Sequence, residues 1–178
     1  MNNFSIKKIL LIVFFMWGST MSQNTNSKNQ SNLNLSITEQ MAFSTVRIEV
    51  KTGRSISVGT GFFFNFLEDD NGSVPAIVTN NHVVKNAEEG TFILTNSNID
   101  GTPNMQNHIP ITLKHFEKYW IFHPDKSIDL AIMPIAPLLL EAKKKGFRPF
   151  YINLNKSLIP NKKQIKELSP AEEILMVG

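Results

Sequence analysis

The 178-residue sequence predicts an all-β fold, an antiparallel β-sandwich or β-barrel, on three observations. Residues 45–51 (TVRIEVK) alternate strictly between polar and apolar side chains, which is the two-residue period of a half-buried strand. Further short β-branched and apolar runs follow, separated by turns rich in Asn, Gly, Pro and Asp. Beyond the N-terminal segment, only residues 138–145 have a convincing helical composition, with Gly146 as the expected end. Helices are therefore a minor part of the predicted fold.

The first 22 residues predict a secretory signal peptide. Lys7 and Lys8 precede a nine-residue apolar stretch, Ile9–Trp17, and small side chains at Thr20 and Ser22 precede the expected cleavage point. Nine apolar residues are far fewer than the roughly 20 that a membrane-spanning helix needs, so we expect no stable membrane anchor. The sequence accordingly predicts an exported protein, periplasmic or extracellular.

The predicted strands follow a polar segment that lies outside the predicted fold. Residues 23–36 consist mainly of Asn, Ser, Gln and Thr. They bury too little apolar surface to offset their chain entropy, so we expect a disordered linker, with order beginning near Ile37. The strands expected after it cover residues 45–51, 56–64, 76–79, 91–95, 108–113, 119–122 and 130–135.

Turns and connectors complete the expected chain path. Residues 68–73 (EDDNGS) form a turn cluster in which the Asn-Gly pair favours a tight hairpin. After the helix, residues 150–154 predict a short further pairing and residues 160–170 predict an exposed connector. Residues 172–177 begin one more strand.

Composition argues against several classes of protein. The chain has 18 Lys and Arg against 15 Asp and Glu, and removal of the predicted signal peptide leaves 16 against 15. Because this balance is nearly neutral and no basic stripe is interleaved with aromatic residues, we expect no nucleic-acid partner. The chain has no cysteine, which excludes disulfides, a thiolate nucleophile and a Cys-type zinc site. The spacing of the histidines matches no metal site, so the sequence predicts no metal and no cofactor.

Two residues at the ends of predicted strands have catalytic potential. His82 lies in AIVTNNHVV at residues 76–84, at the end of a β-branched run, and Asp129 lies just before the apolar run in HPDKSIDLAIMPI at residues 123–135. A histidine followed by an aspartate is the order of the base and its orienting carboxylate in one kind of serine-nucleophile triad. Taken singly, each has a structural interpretation, since a lone histidine is usually a surface residue and an aspartate before a strand usually caps a turn.

Three segments carry a family resemblance when they are taken in order. They are VGTGFF at residues 58–63, VTNNHVV at residues 78–84, and residues 120–135, which contain DLAI. With Asp129 placed 47 positions after His82, they resemble the bacterial trypsin-like serine peptidases of the chymotrypsin fold. Those enzymes carry a Gly-x-Gly-Phe strand, a Thr-x-x-His turn and an Asp-Leu-Ala strand. The resemblance covers roughly residues 40 to 178.

The resemblance implies a domain organisation. Residues 37–136 would form the first of the two antiparallel β-barrels of this fold, and residues 137–171 would form a helix and the inter-barrel connector. Residues 172–178 would be the first strand of a second barrel that is otherwise missing from the sequence.

The resemblance also implies functional roles. His82 would be the general base and Asp129 its orienting carboxylate, acting on a protein or peptide substrate. Gly59 and Gly61 would allow close backbone packing at a barrel corner.

The serine nucleophile of the family has no counterpart in this sequence. Members present it in Gly-x-Ser-Gly, whereas the serines after Asp129 are Ser157 and Ser169, and neither has a glycine neighbour. Ser127 is expected to shape the turn before Asp129. We therefore expect a truncated or fragmentary chain that is inactive by itself. The alternative is a non-catalytic exported binding module on a degenerate peptidase barrel.

Overall fold

The computed structural model describes residues 33–70, 72–169 and 176. Within them the chain forms eight β-strands in one antiparallel sheet, so the predicted antiparallel β architecture is confirmed. The predicted signal peptide, residues 23–32 of the predicted linker, and the predicted strand at 172–177 apart from Met176 lie outside the described residues. The strands are β1 (Thr45–Thr52), β2 (Ser55–Asp69), β3 (Gly72–Thr79), β4 (Glu89–Ser97), β5 (Pro103–Lys114), β6 (Ile121–Phe122), β7 (Ala131–Pro134) and β8 (Pro149–Phe150).

The sheet is open rather than closed into the predicted barrel. The strands pair in the order β5-β4-β1-β2-β3-β7-β6, with β8 added to β4, and each of these pairings is antiparallel. Among the described residues β5 and β6 end the path and do not pair with each other. Both end strands are poorly suited to closure. β6 offers only Ile121 and Phe122, and Pro110 on β5 has no N–H with which to continue a ladder.

The strands lie where the sequence predicts them, although several differ in length. β2 and β5 extend beyond their predicted bounds because their ladders continue past irregularities in register. A hairpin joins β2 to β3 where the sequence predicts a turn, with Asp69 paired to Gly72. The strand predicted at residues 119–122 is shorter, because Phe116–Tyr119 form a 3₁₀ turn and only two residues pair.

Four α-helices accompany the sheet in the described part of the chain. They are α1 (Ile37–Ser44), α2 (Asn81–Val84), α3 (Ala136–Lys144) and α4 (Lys162–Glu167). α3 confirms the predicted helix, and Gly146 follows it with a φ of +83°. α1 is not among the predicted helices, although Ser36 and Glu39 form a capping box at its start. None of these helices is both long enough and apolar enough to cross a bilayer.

The core contains large side chains from most of the sheet. The largest fully buried ones are Phe63, Phe92, Phe116, Ile48, Ile77, Met133, Ile135 and Val84. The rings of Phe92, Phe116 and Trp120 pack together. The centroid of Phe116 lies 5.3 Å from that of Phe92 and 5.6 Å from that of Trp120, and the centroids of Phe92 and Trp120 are 6.3 Å apart. Gly90 makes room for them, because a Cβ at this position would lie 2.4 Å from the Phe116 ring. The glycine therefore lets an aromatic ring lie directly on the backbone of β4.

The segment after α3 joins the sheet instead of running free over the surface. Phe150 and Tyr151 are buried, and β8 pairs with β4. Further on, the Leu154 N–H donates to the Phe63 carbonyl at 2.9 Å, and the Asn65 N–H donates to the Leu154 carbonyl at 2.9 Å. The predicted short pairing at residues 150–154 is therefore confirmed.

Candidate functional site

His82 is placed by the end of β3 and by the short helix that follows. The last four residues of β3 are buried, and the Thr79 hydroxyl donates to the Thr60 carbonyl at 2.8 Å. The chain then leaves the sheet and turns into α2, where Val84 is fully buried and Val83 packs against the core. Because these two valines point inward, His82 lies on the opposite, exposed side of the helix.

Asp129 is placed beside His82 by the pairing of β3 with β7. Thr79 is the register partner of Ala131, so the residues after Thr79 and those before Ala131 leave the sheet at the same end. The loop that carries Asp129 begins with a tight turn, in which the Ser127 N–H and hydroxyl donate to Asp125 Oδ1 at 2.9 and 2.8 Å. Ser127 therefore shapes this turn, as the sequence predicts.

The two predicted catalytic side chains are in direct contact. His82 Nδ1 lies 2.5 Å from Asp129 Oδ2, and the His82 backbone N–H donates to Asp129 Oδ1 at 3.0 Å. Each carboxylate oxygen thus has its own partner on the same histidine. The side chains remain open to solvent, with 73% of His82 and 47% of Asp129 exposed.

These contacts fix the charge of the carboxyl group. Hydrogen bonding from the His82 side chain, and next from its backbone N–H, holds the pKa of Asp129 below its ordinary value. Burial raises this pKa by less than either of these hydrogen bonds lowers it, and smaller contributions from the electrostatic interaction with His82 and from the Asn81 backbone N–H lower it further. Asp129 is therefore ionised at neutral pH and accepts the proton carried by Nδ1. The Nε2 atom of a neutral His82 is then left as a proton acceptor.

Nε2 is also accessible to a reacting group. Within the described residues, no hydrogen bond of His82 involves this atom. An exposed acceptor nitrogen on an imidazole, with the other nitrogen held by a carboxylate, is the arrangement of a general base.

One residue of this site is not apparent in the sequence. The Asn80 side-chain amide donates from Nδ2 to the backbone carbonyl of Asp129 at 3.0 Å. The only sequence signal for it is its place two residues before His82. Its neighbour Asn81 has a buried Oδ1 with no hydrogen-bond partner in the described part of the chain.

Gly59 and Gly61 pack closely against the elements that support the site. A Cβ at Gly59 would lie 2.5 Å from a methyl carbon of Val83, the residue next to His82. A Cβ at Gly61 would lie 2.7 Å from Ile77 on β3. The predicted close packing at both glycines is confirmed, although they lie along β2 of an open sheet and not at a barrel corner.

The described residues do not bring a serine hydroxyl into hydrogen-bond contact with His82. The Ser157 hydroxyl donates to Asn155 Oδ1 at 2.6 Å within its own turn, and Ser169 follows α4. In the same part of the chain, no three His, Asp or Glu side chains are grouped as a metal site would require. An open cleft of about 320 Å³ is lined by other residues, namely Lys51, Glu88, Glu89, Lys114 and His115.

Comparison with known proteins adds no further assignment to this geometry. No family model matches the chain, and neither a curated protein nor a solved structure matches it.

Proposed function

We propose that this chain provides the general base and the orienting carboxylate of an exported trypsin-like serine endopeptidase. The observation that carries the proposal is the doubly bonded contact between His82 and Asp129, at 2.5 and 3.0 Å. A carboxylate that engages both Nδ1 and the backbone N–H fixes the tautomer and the orientation of the imidazole together. The ordered sequence motifs around these two residues support the same function.

The proposed chemistry follows from the two nitrogens of His82. Nε2 takes the proton of a serine hydroxyl as the serine oxygen bonds to the peptide carbonyl carbon, and the resulting imidazolium is stabilised by Asp129. The same Nε2 then returns the proton to the amine that leaves when the peptide C–N bond breaks. The remaining acyl group is released when water attacks by the same route.

The serine and the donors that stabilise the oxyanion have to come from outside the described residues. Because members of a triad act as a unit, a base without its nucleophile contributes almost nothing. We therefore expect the 178-residue chain on its own to hydrolyse no peptide bond above background. Treatment with a fluorophosphonate probe tests this. Labelling that disappears in Ser157→Ala or Ser169→Ala would show instead that the chain contains its own nucleophile.

The function itself is tested on the material that cells produce. An antibody against residues 33–169 recovers the natural polypeptide, with anything bound to it, from the exported fraction. We expect the recovered material to react with a fluorophosphonate probe and to digest casein. Both activities should be lost when the gene carries His82→Gln and retained with the control His123→Gln, because His123 lies outside the pair. Recovered material with intact His82 and neither activity would contradict the proposal.

A second candidate is a non-catalytic exported binding module. Ile121, Ile128 and Leu130 have exposed aliphatic side chains. Ile128 and Leu130 flank Asp129 in the chain, and Ile121 lies on β6, which pairs with β7. These exposed apolar groups favour a contact surface at this end of the sheet. This candidate predicts that His82→Gln leaves the recovered partners unchanged. It also predicts that the material recovered with the antibody does not react with the fluorophosphonate probe.

A further inference from the structure

We infer that Asn80 is a positioning residue, which holds the main chain of Asp129 so that its carboxylate meets His82. The inference rests on the proposed function, in which His82 is the catalytic base and Asp129 orients it. It assigns to Asn80 a task distinct from starting the helix.

The Asn80 side chain does not cap the helix that it precedes. Asn80 occupies the N-cap position of α2 with extended backbone angles, φ −73° and ψ 143°, but it makes no capping hydrogen bond. Asn161, at the same position of α4, uses its Oδ1 to accept from two backbone N–H groups at 2.9 and 3.0 Å. Asparagine is a preferred N-cap because of that capping bond. At Asn80 the amide is instead directed across to the loop of Asp129.

The bond from Asn80 attaches the main chain of Asp129, whereas the bonds from His82 attach its side chain. Asp129 is held at three points, because Asn80 binds its main-chain oxygen while His82 binds Oδ1 and Oδ2. Two bonds to a carboxylate still allow the loop behind it to move, since the side chain can rotate about its own bonds. The third bond joins segments that are 49 residues apart and fixes the backbone from which the carboxylate projects.

The contact between His82 and Asp129 is open to solvent. Both side chains of the pair are largely exposed, so water competes for their hydrogen bonds and an exposed ion pair by itself contributes little. A lasting contact therefore depends on a scaffold that holds the groups in place beforehand. The bond from the Asn80 amide is exposed as well, so its contribution is geometric: it ties the Asp129 backbone to the start of α2, and the buried Val84 anchors that helix.

The test is an NMR comparison of the full chain with Asn80→Ser. Serine is at least as good an N-cap, but it lacks the amide donor and is too short to replace it. We expect the downfield proton resonance of His82 Nδ1–H to weaken or disappear, and the pKa of Asp129 to rise towards its ordinary value, while the fold is retained. Asn161→Ser, the matched change at α4, should alter neither. Unchanged resonance and unchanged Asp129 pKa in folded Asn80→Ser would overturn the inference.

A measurement on the unaltered chain covers the case in which the variant fails to fold. The hydrogen-bonded Nδ2 proton of Asn80 should exchange with water more slowly than the corresponding proton of Asn161, whose side chain accepts through Oδ1 in its capping bonds. Equal exchange of the two protons would refute the inference. These NMR readouts do not depend on proteolysis. The positioning role of Asn80 and the proposed peptidase function can therefore be tested separately. Loss of the His82 signal in Asn80→Ser, combined with recovered natural material that shows neither probe labelling nor casein digestion, would refute only the proposed function.

Discussion

At the scale of single residues, the site depends on backbone groups as much as on side chains. The Asp129 carboxylate accepts from the His82 backbone N–H, and the Asp129 carbonyl accepts from the Asn80 amide. Backbone donors keep their positions when side chains rotate, so the carboxylate stays oriented although half of it is exposed. The pair is thus ordered without being buried, and a reacting group can approach His82 from solvent.

The lowered pKa of Asp129 predicts a pH dependence of stability. The unfolded-state value is about 3.9, and hydrogen bonding to His82 places the folded-state value below it. The ionised carboxylate therefore stabilises the fold at higher pH, and this contribution is lost as the pH falls through the lowered pKa. In urea titrations Asp129→Asn should be less stable than the parent chain at pH 6, with the difference shrinking towards pH 2. A difference that stays constant over this range would contradict the expected linkage.

The sequence is informative about His82 and Asp129 and uninformative about Asn80, for a physical reason. A base and its carboxylate are both side-chain functions, so their residue types and strand-end positions are visible in the sequence. The partner of Asn80 is a backbone carbonyl 49 residues away. Every residue carries such a carbonyl, so nothing in the sequence marks the acceptor, and an asparagine before a helix is typical of an ordinary cap.

At the scale of elements, alternation predicts where strands lie and local signals predict where they turn. The half-buried β1 and the Asn-Gly hairpin follow from patterns a few residues long. The four-residue helix α2 does not, because so short a helix is stabilised by tertiary packing rather than by propensity. Its buried Val84 and the contact of Val83 with Gly59 supply that packing. The element that carries His82 was therefore beyond prediction from local sequence.

Gly59→Ala tests how closely β2 supports α2. The added Cβ would lie 2.5 and 2.8 Å from the two methyl carbons of Val83, so the helix or the strand has to shift. We expect a loss of about 1–3 kcal/mol of unfolding free energy, together with a weaker His82 Nδ1–H resonance, measured by urea titration and NMR.

The matched control is the double variant Gly59→Ala with Val83→Ala, which removes the methyl groups that the new Cβ would meet. Its destabilisation should be smaller than the sum of the two single effects. Additive effects would show that the close approach of Gly59 to Val83 is not the constraint.

At the scale of the whole molecule, the choice between a closed barrel and an open sheet depends on the two end strands. Alternation in the sequence shows only that one face of each strand is buried, and this holds for both architectures. The outcome is decided by whether the end strands β5 and β6 pair with each other. They are consecutive in the chain, but the alternation pattern does not show whether they pair. The antiparallel β class was therefore predictable, and the closure of the sheet was not.

The segment at β8 is predicted to be essential for the stability of the whole sheet. Phe150 is 6% exposed, and its ring meets Phe43 of α1 edge-on with a centroid separation of 4.8 Å. Phe150→Ala should therefore cost about 3–5 kcal/mol. Phe147→Ala is the matched control, because Phe147 is 37% exposed and its replacement should change stability by only about 0.5 kcal/mol. Urea denaturation of both variants gives the comparison, and equal losses would argue against a structural role for β8.

Pro110 on the end strand β5 has a consequence for how copies of this protein meet. An open sheet presents backbone groups at its ends, and a second copy can pair with them and begin a growing aggregate. Proline interrupts such intermolecular pairing because it has no N–H to donate, and at the other end β6 offers only two residues. β6 is too short to be a long template, and Pro110 interrupts the template that β5 offers. We therefore expect the features that leave the sheet open within one molecule also to hinder edge-to-edge polymerisation at high concentration.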